Sequence, residues 1–220
     1  MILFVPSAGL GKRLRPVTEY VPKPLIKIGK NENLKNIIDI NFPLCFSETI
    51  LNVSHLSGKI INFIRTCRYP RMSIYREIEP IGVFGGLNNI LRNRTIYEDV
   101  IIFNSDVVYE DGIEGLLQVP GDVVFGLVRG GSPDIGIDGR EKISVIAGLQ
   151  VTDAEPEEFF TYSGIMLIKA AALKSFSETF HERTGMISFI EFVKSALDER
   201  RSVHYFILDG QWRDIGTQPI

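Results

Sequence analysis

The chain has 220 residues, 45% of them hydrophobic and 23% charged, with a formal net charge of −3 from 24 basic and 27 acidic side chains. That is ordinary globular composition in a chain long enough to bury about 70% of its unfolded surface without staples, and the charge balance excludes a broad basic face for nonspecific nucleic-acid binding. No stretch reaches the ~20 apolar residues of a membrane span, Met1–Val5 is too short and unflanked for a signal peptide, and Cys45 and Cys67 lack CxxC spacing, so the expected setting is a reduced cytoplasm with no membrane partner.

The first predicted element is the apolar strand Ile2–Val5, which empties into Ser7-Ala8-Gly9-Leu10-Gly11-Lys12-Arg13-Leu14-Arg15-Pro16. A buried strand that runs into a glycine-rich basic loop is a way of holding phosphate at the end of a parallel sheet. Gly9 and Gly11 let backbone N–H groups approach an anion. Arg13 offers a planar fork of donors, and Lys23 offers a point charge stiffened by Pro22 and Pro24. Two common phosphate motifs are excluded. Leu14 stands where GxGxxG needs its third glycine, and Gly11-Lys12 is followed by Arg13 rather than the Ser or Thr of a P-loop.

Further along, the pattern predicts a helix over Leu34–Ile40, a strand over Thr49–Val53, a helix over Ser57–Thr66 and a strand over Met72–Tyr75. A helix over Gly85–Leu91 and strands over Val100–Phe103 and Val123–Val128 follow. The stretch Gly130–Glu158 is weakly patterned and reads as loops and short β-pieces beside the sheet, a candidate lid. A strand over Tyr162–Ile168, helices over Ala170–Phe176 and Ile187–Arg200 and a strand over Val203–Leu208 complete the chain. In the last helix, Ile187, Ile190, Phe192, Val193, Ala196 and Leu197 form an apolar stripe. Several strands are continuously apolar, as strands covered on both faces are. Alternating β and α elements predict a Rossmann-like three-layer α/β/α sandwich with a mainly parallel mixed sheet. No linker divides it, so residues 1–220 read as one domain. Ile101–Asp106 is an apolar strand ending in a carboxylate, which aims Asp106 at the same crevice as the glycine-rich loop.

The pattern AGxGxRLxP…PKPL, carried by Ala8 to Leu25, resembles the signature of the sugar-phosphate nucleotidylyltransferases. Other islands resemble the same family. Asn104-Ser105-Asp106 stands for its Asn-Gly-Asp, and Trp212-Arg213-Asp214-Ile215-Gly216-Thr217 for its W-x-D-I-G-T. Glu79–Leu87 matches its E-P-L-G-T-A-G-G-L loop, with Val83 and Phe84 in place of Thr and Ala. Ile50–Leu56 is similar to its second-strand segment, where His55 reads as a structural residue, and Tyr162-Ser163-Gly164-Ile165 to its sugar-contacting strand. Its E-K-P motif is absent, and Lys12 replaces the usual Thr or Ser.

The resemblance implies the nucleotide-diphospho-sugar transferase fold and the joining of a nucleoside triphosphate to a sugar-1-phosphate, releasing pyrophosphate. It implies Arg13 and Lys23 as catalytic residues, and Ala8, Gly9, Gly11, Arg13, Glu77, Gly82 and Asp106 as nucleotide-binding ones. Gly139, Tyr162 and Gly164 would meet the sugar, and Asp106 and Asp214 would hold Mg²⁺. Relatives often form homo-oligomers, and no second activity is expected. Alternatives stay open. One is nucleotidyl transfer to a non-sugar acceptor such as phosphocholine. Another is a nucleotide-binding regulatory subunit, for which Val83 and Phe84 speak. The least favoured is a glycosyltransferase with a DxD motif, since Asp106-Val107-Val108 lacks the second Asp.

Overall fold

Strand alternation decides the architecture. The computed structural model describes residues 1–41, 44 and 46–216. From β1 (Ile2–Pro6) the chain passes a 3-10 turn at Lys12–Leu14, α1 (Val17–Tyr20) and a second 3-10 turn at Lys23–Leu25. The hairpin of β2 (Lys27–Ile28) and β3 (Asn31–Glu32) leads into α2 (Asn33–Asn41). Regular alternation follows with β4 (Glu48–Val53), α3 (Ser57–Cys67), β5 (Met72–Arg76), α4 (Gly82–Asn93) and β6 (Val100–Phe103). Next come β7 (Val107–Tyr109), α5 (Glu114–Gln118), β8 (Val123–Val128), β9 (Ile135–Ile137), β10 (Ile143–Ile146) and β11 (Leu149–Gln150). The chain continues with β12 (Glu158–Ile168), α6 (Ala170–Thr179), α7 (Phe189–Asp198), β13 (Val203–Ile207) and β14 (Trp212–Asp214).

The main sheet is ten-stranded, with the path β11-β10-β9-β12-β6-β1-β4-β5 and with β8 and β13 branching from β12. β5, β4, β1 and β6 are mutually parallel, whereas β12 runs antiparallel to β6. Successive side chains of a strand point to opposite faces. Ile2, Phe4, Ile50 and Ile102 therefore pack with Phe84, Leu87, Phe176 and Phe192 of α4, α6 and α7. Leu3, Val5, Leu51, Ile101 and Phe103 pack on the other face with Leu34, Ile37, Ile60 and Ile64 of α2 and α3. Apolar residues on both faces of each central strand make three layers, as the continuous runs predict.

The stretch expected to be loops and short β-pieces joins the main sheet. β9, β10 and β11 form an antiparallel extension on the first half of β12, with Glu158 to Phe160 opposite Ile137 to Ile135. β12 serves both parts because its register against β8 shifts between Tyr162 and Met166, where Gly164 takes φ +83°. The helix expected from Ile187 begins at Phe189. Ser188 caps it by accepting from Glu191 N while Glu191 accepts from Ser188 N, so the chain before Ser188 has no helical bonds to join. Cys45 and Thr217 lie outside the described residues.

Candidate active site

β1, β4 and β6 end together at one edge of the sheet, and the loops leaving them wall a cleft of about 180 Å³. It is lined by Ser7, Ala8, Gly9 and Gly11 after β1, Asn52 of β4, Lys23, Gly82, Val83 and the run Asn104-Ser105-Asp106 after β6. The loop after β1 is braced from behind. Gly11 sits at φ +59°, and its carbonyl accepts from Thr18 Oγ1 at 2.8 Å. Thr18 O in turn accepts from His55 Nε2 at 2.8 Å. His55 thus has a structural partner in the loop.

Lys23 reaches the floor of the cleft. Its Nζ donates to Asp106 Oδ2 at 2.5 Å, with side-chain exposures of 12% and 30%. Asp214 arrives by a different route. β14 pairs antiparallel with β7, Asp214 stands opposite Val107, and Ile215 N donates to Asp106 O at 3.0 Å. A two-stranded ladder therefore holds the backbones of the two carboxylates side by side. Asp214 Oδ1 accepts from Gly216 N at 2.6 Å. A Cβ on Gly216 would lie 2.3 Å from Lys23 Nζ and 2.9 Å from Asp214 Oδ1. The ammonium and the second carboxylate flank that glycine, so a larger residue there would displace the tip of Lys23. Asn33, fully buried, clamps the same segment from below, its Nδ2 donating to Ser105 O and Val107 O at 2.9 Å each.

Other expected residues are placed differently. Arg13 is exposed on the 3-10 turn Lys12–Leu14 and lies beyond the lining of the cleft. Glu77 is turned inward. Its Oε1 accepts from Asn52 Nδ2 at 2.6 Å, its Oε2 accepts from Ile81 N at 3.3 Å, and burial raises its pKa against those two bonds. Asn52 Oδ1 accepts from Ser7 N at 2.9 Å, so Glu77 links the loop after β1 to the start of α4.

Gly82 opens α4 at φ +77° and lines the cleft. The Val83 and Phe84 departures separate here. Val83 lines the cleft, whereas Phe84 is 5% exposed and stacks on Phe192 at 4.2 Å.

A second hollow of about 380 Å³ adjoins the first, sharing Gly82, Val83 and Asn104 with it. Tyr162 lines it, stacked on Phe189 at 5.2 Å. Burial pushes the Tyr162 hydroxyl well above its ordinary pKa, and the charges of Asp134 and Asp106 add to that. Gly164 lies behind the wall, where a Cβ would meet Val107 Cγ2 at 2.8 Å and Asn104 Nδ2 at 3.0 Å. Gly139 is not brought to this region. It is exposed in the turn after β9, against Glu157, on the side of the extension that leads away from Tyr162 along β12. The sequence motifs give no role to Asn33 or Asn52 and name Asn104 only as part of Asn104-Ser105-Asp106. The signal for Asn52 and Asn104 was an amide at the carboxyl end of an apolar strand, and for Asn33 an amide opening a helix.

No protein-family model matches the chain. A curated relative, the bifunctional protein GlmU of Methanocaldococcus jannaschii, is 24% identical over 209 residues, covering 95% of this chain and 50% of the relative. Another, a mannose-1-phosphate guanylyltransferase 1 (named as probable) of Oryza sativa subsp. japonica, is 25% identical over 226 residues, covering 94% and 59%. The chain is similar to sugar-phosphate nucleotidylyltransferases. It spans about half the length of the GlmU relatives it matches, at 50%. The solved inositol-1-phosphate CTP transferase from T. maritima shares the fold, with a TM-score of 0.74, 17% identity and coverage of 98% of this chain and 89% of that one. Among the described residues no helix is long and apolar enough to cross a membrane.

Proposed function

We propose that residues 1–220 form one nucleotidyltransferase unit that joins a nucleoside triphosphate to a sugar-1-phosphate, giving a nucleotide sugar and pyrophosphate. One arrangement carries the reading. Lys23 and Asp106 touch at 2.5 Å on the floor of a glycine-walled cleft, with Asp214 on the adjoining strand. A binding protein has no need of two carboxylates beside an anion site, since they repel the ligand unless a cation joins them. Their hard oxygens suit Mg²⁺. Asp106 and Asp214 would hold the ion, and when bound it neutralises charge on the α-phosphate.

In the reaction an oxygen of the sugar phosphate attacks the α-phosphorus in line, and the bond from that phosphorus to the β-phosphate oxygen breaks. The attacking oxygen is already ionised near neutral pH, because a phosphate monoester has its second pKa at about 6. No general base is needed, and pyrophosphate leaves as an anion. Catalysis is therefore positioning and charge compensation. Lys23 stands between the two phosphates and offsets the charge that builds up there. Backbone N–H groups of Gly9 and Gly11 receive phosphate oxygens, and Arg13 swings in from the rim onto the departing β- and γ-phosphates. Gly82 and Val83, at the positive end of α4, face the nucleotide.

Pyrophosphate release over a grid of nucleoside triphosphates and sugar-1-phosphates, with Mg²⁺ present, tests this. Release should need one member of each set. Lys23→Ala and Asp106→Ala should each lower turnover by about 100-fold or more. Turnover within a few-fold of wild type in both variants would sink the assignment.

A further inference from the structure

The hollow beside the phosphate cleft is where an acceptor's organic part would lie, and its chemistry is unusual for a sugar site. The inference rests on the function proposed above. Its walls are Val83, Met186, Ile187, Phe189 and the ring of Tyr162, and among the described residues none of its lining side chains is charged. Polar capacity is small. Ser188 is engaged in the cap of α7, with its hydroxyl on Glu191 N and its N–H on Glu191 Oε2. What remains is the Tyr162 hydroxyl and the Asn104 amide, whose Oδ1 is closed off from solvent and has no hydrogen-bond partner among the described residues.

A hexose with every hydroxyl free would bury several donors here with few acceptors to meet them. A methyl group against Met186, Ile187 and the aromatic pair would instead remove apolar surface from water. The geometry points to a sugar-1-phosphate acceptor that carries a methyl-bearing substituent, an acetamido or a 6-deoxy group.

The test is kcat/KM for N-acetylglucosamine 1-phosphate and fucose 1-phosphate against glucose 1-phosphate and mannose 1-phosphate, each with the triphosphate the enzyme uses. At least one methyl-bearing acceptor should be preferred by roughly 10- to 100-fold, and the two arms tell acetamido from deoxy. Equal or better use of glucose or mannose 1-phosphate overturns this inference and leaves the function standing. Release with phosphocholine alone, or with no acceptor at all, overturns both. Met186 is 63% exposed, so Met186→Ser should fold normally. It should cut the preference at least threefold while the KM for the triphosphate stays unchanged; an unchanged preference counts against the inference.

Discussion

Glu77 is a carboxyl group that folding takes out of water, and that makes it a reporter of the site. Burial raises its pKa, so the folded chain keeps the proton to a higher pH than the unfolded chain, where a Glu titrates near about 4.3. The stability carried by protonated Glu77 is present in full below that value and is lost as pH rises through the folded pKa. Glu77→Gln keeps an acceptor for Asn52 Nδ2 and cannot ionise. The difference in urea midpoint between variant and wild type should therefore move in the variant's favour as pH rises from 4, then level off. A difference that stays constant would mean Glu77 titrates alike in both states. The Lys23–Asp106 contact is another matter of single residues. At 12% and 30% exposure it is only partly screened, and removing either partner leaves a part-buried charge without its counterpart.

At the scale of elements, the ladder between β7 and β14 is what makes two distant carboxylates neighbours. Its foundation is Asn33 at the start of α2, which donates to Ser105 O and Val107 O. Asn33→Ala leaves two buried carbonyls without donors, at about 1–3 kcal/mol each. We expect a loss of about 2–4 kcal/mol in urea unfolding together with a fall in kcat, because the turn that carries Asp106 loosens. A loss under about 0.5 kcal/mol would show that other groups hold the turn. The loop after β1 has a comparable brace in Thr18 and His55, which explains a histidine at the end of β4 without giving it chemistry.

Over the whole molecule, one aromatic cluster joins the two halves of the cleft. Phe84 of α4 stacks on Phe192 of α7 and meets Phe176 of α6 edge-on at 6.3 Å, while Phe189 stacks on Tyr162 of β12. The start of α4 and the wall of the acceptor hollow therefore rest on shared packing. Phe84→Ala should cost about 3–5 kcal/mol by calorimetry, the range for deleting a buried ring. A cost near zero would place Phe84 outside the core and return it to the site as an obstacle.

Periodicity and short motifs were enough to specify the layers and the end of the sheet at which the cleft opens. Apolar runs such as Ile2–Val5 and Val100–Phe103 need cover on both faces wherever they lie, and a glycine-rich turn after a strand leaves backbone exposed at the strand's end. Capping at Ser188 and Glu191 was equally local, and reading it would have corrected the start of the last helix. Contacts between distant segments were decided only by the tertiary structure. Lys23 meets Asp106 from 83 positions away, β14 finds β7, Glu77 turns inward to Asn52, and Gly139 ends apart from Tyr162. The reason is physical. Side-chain alternation states which face a residue occupies, but which strand lies beside it depends on packing and chain entropy summed over the whole fold.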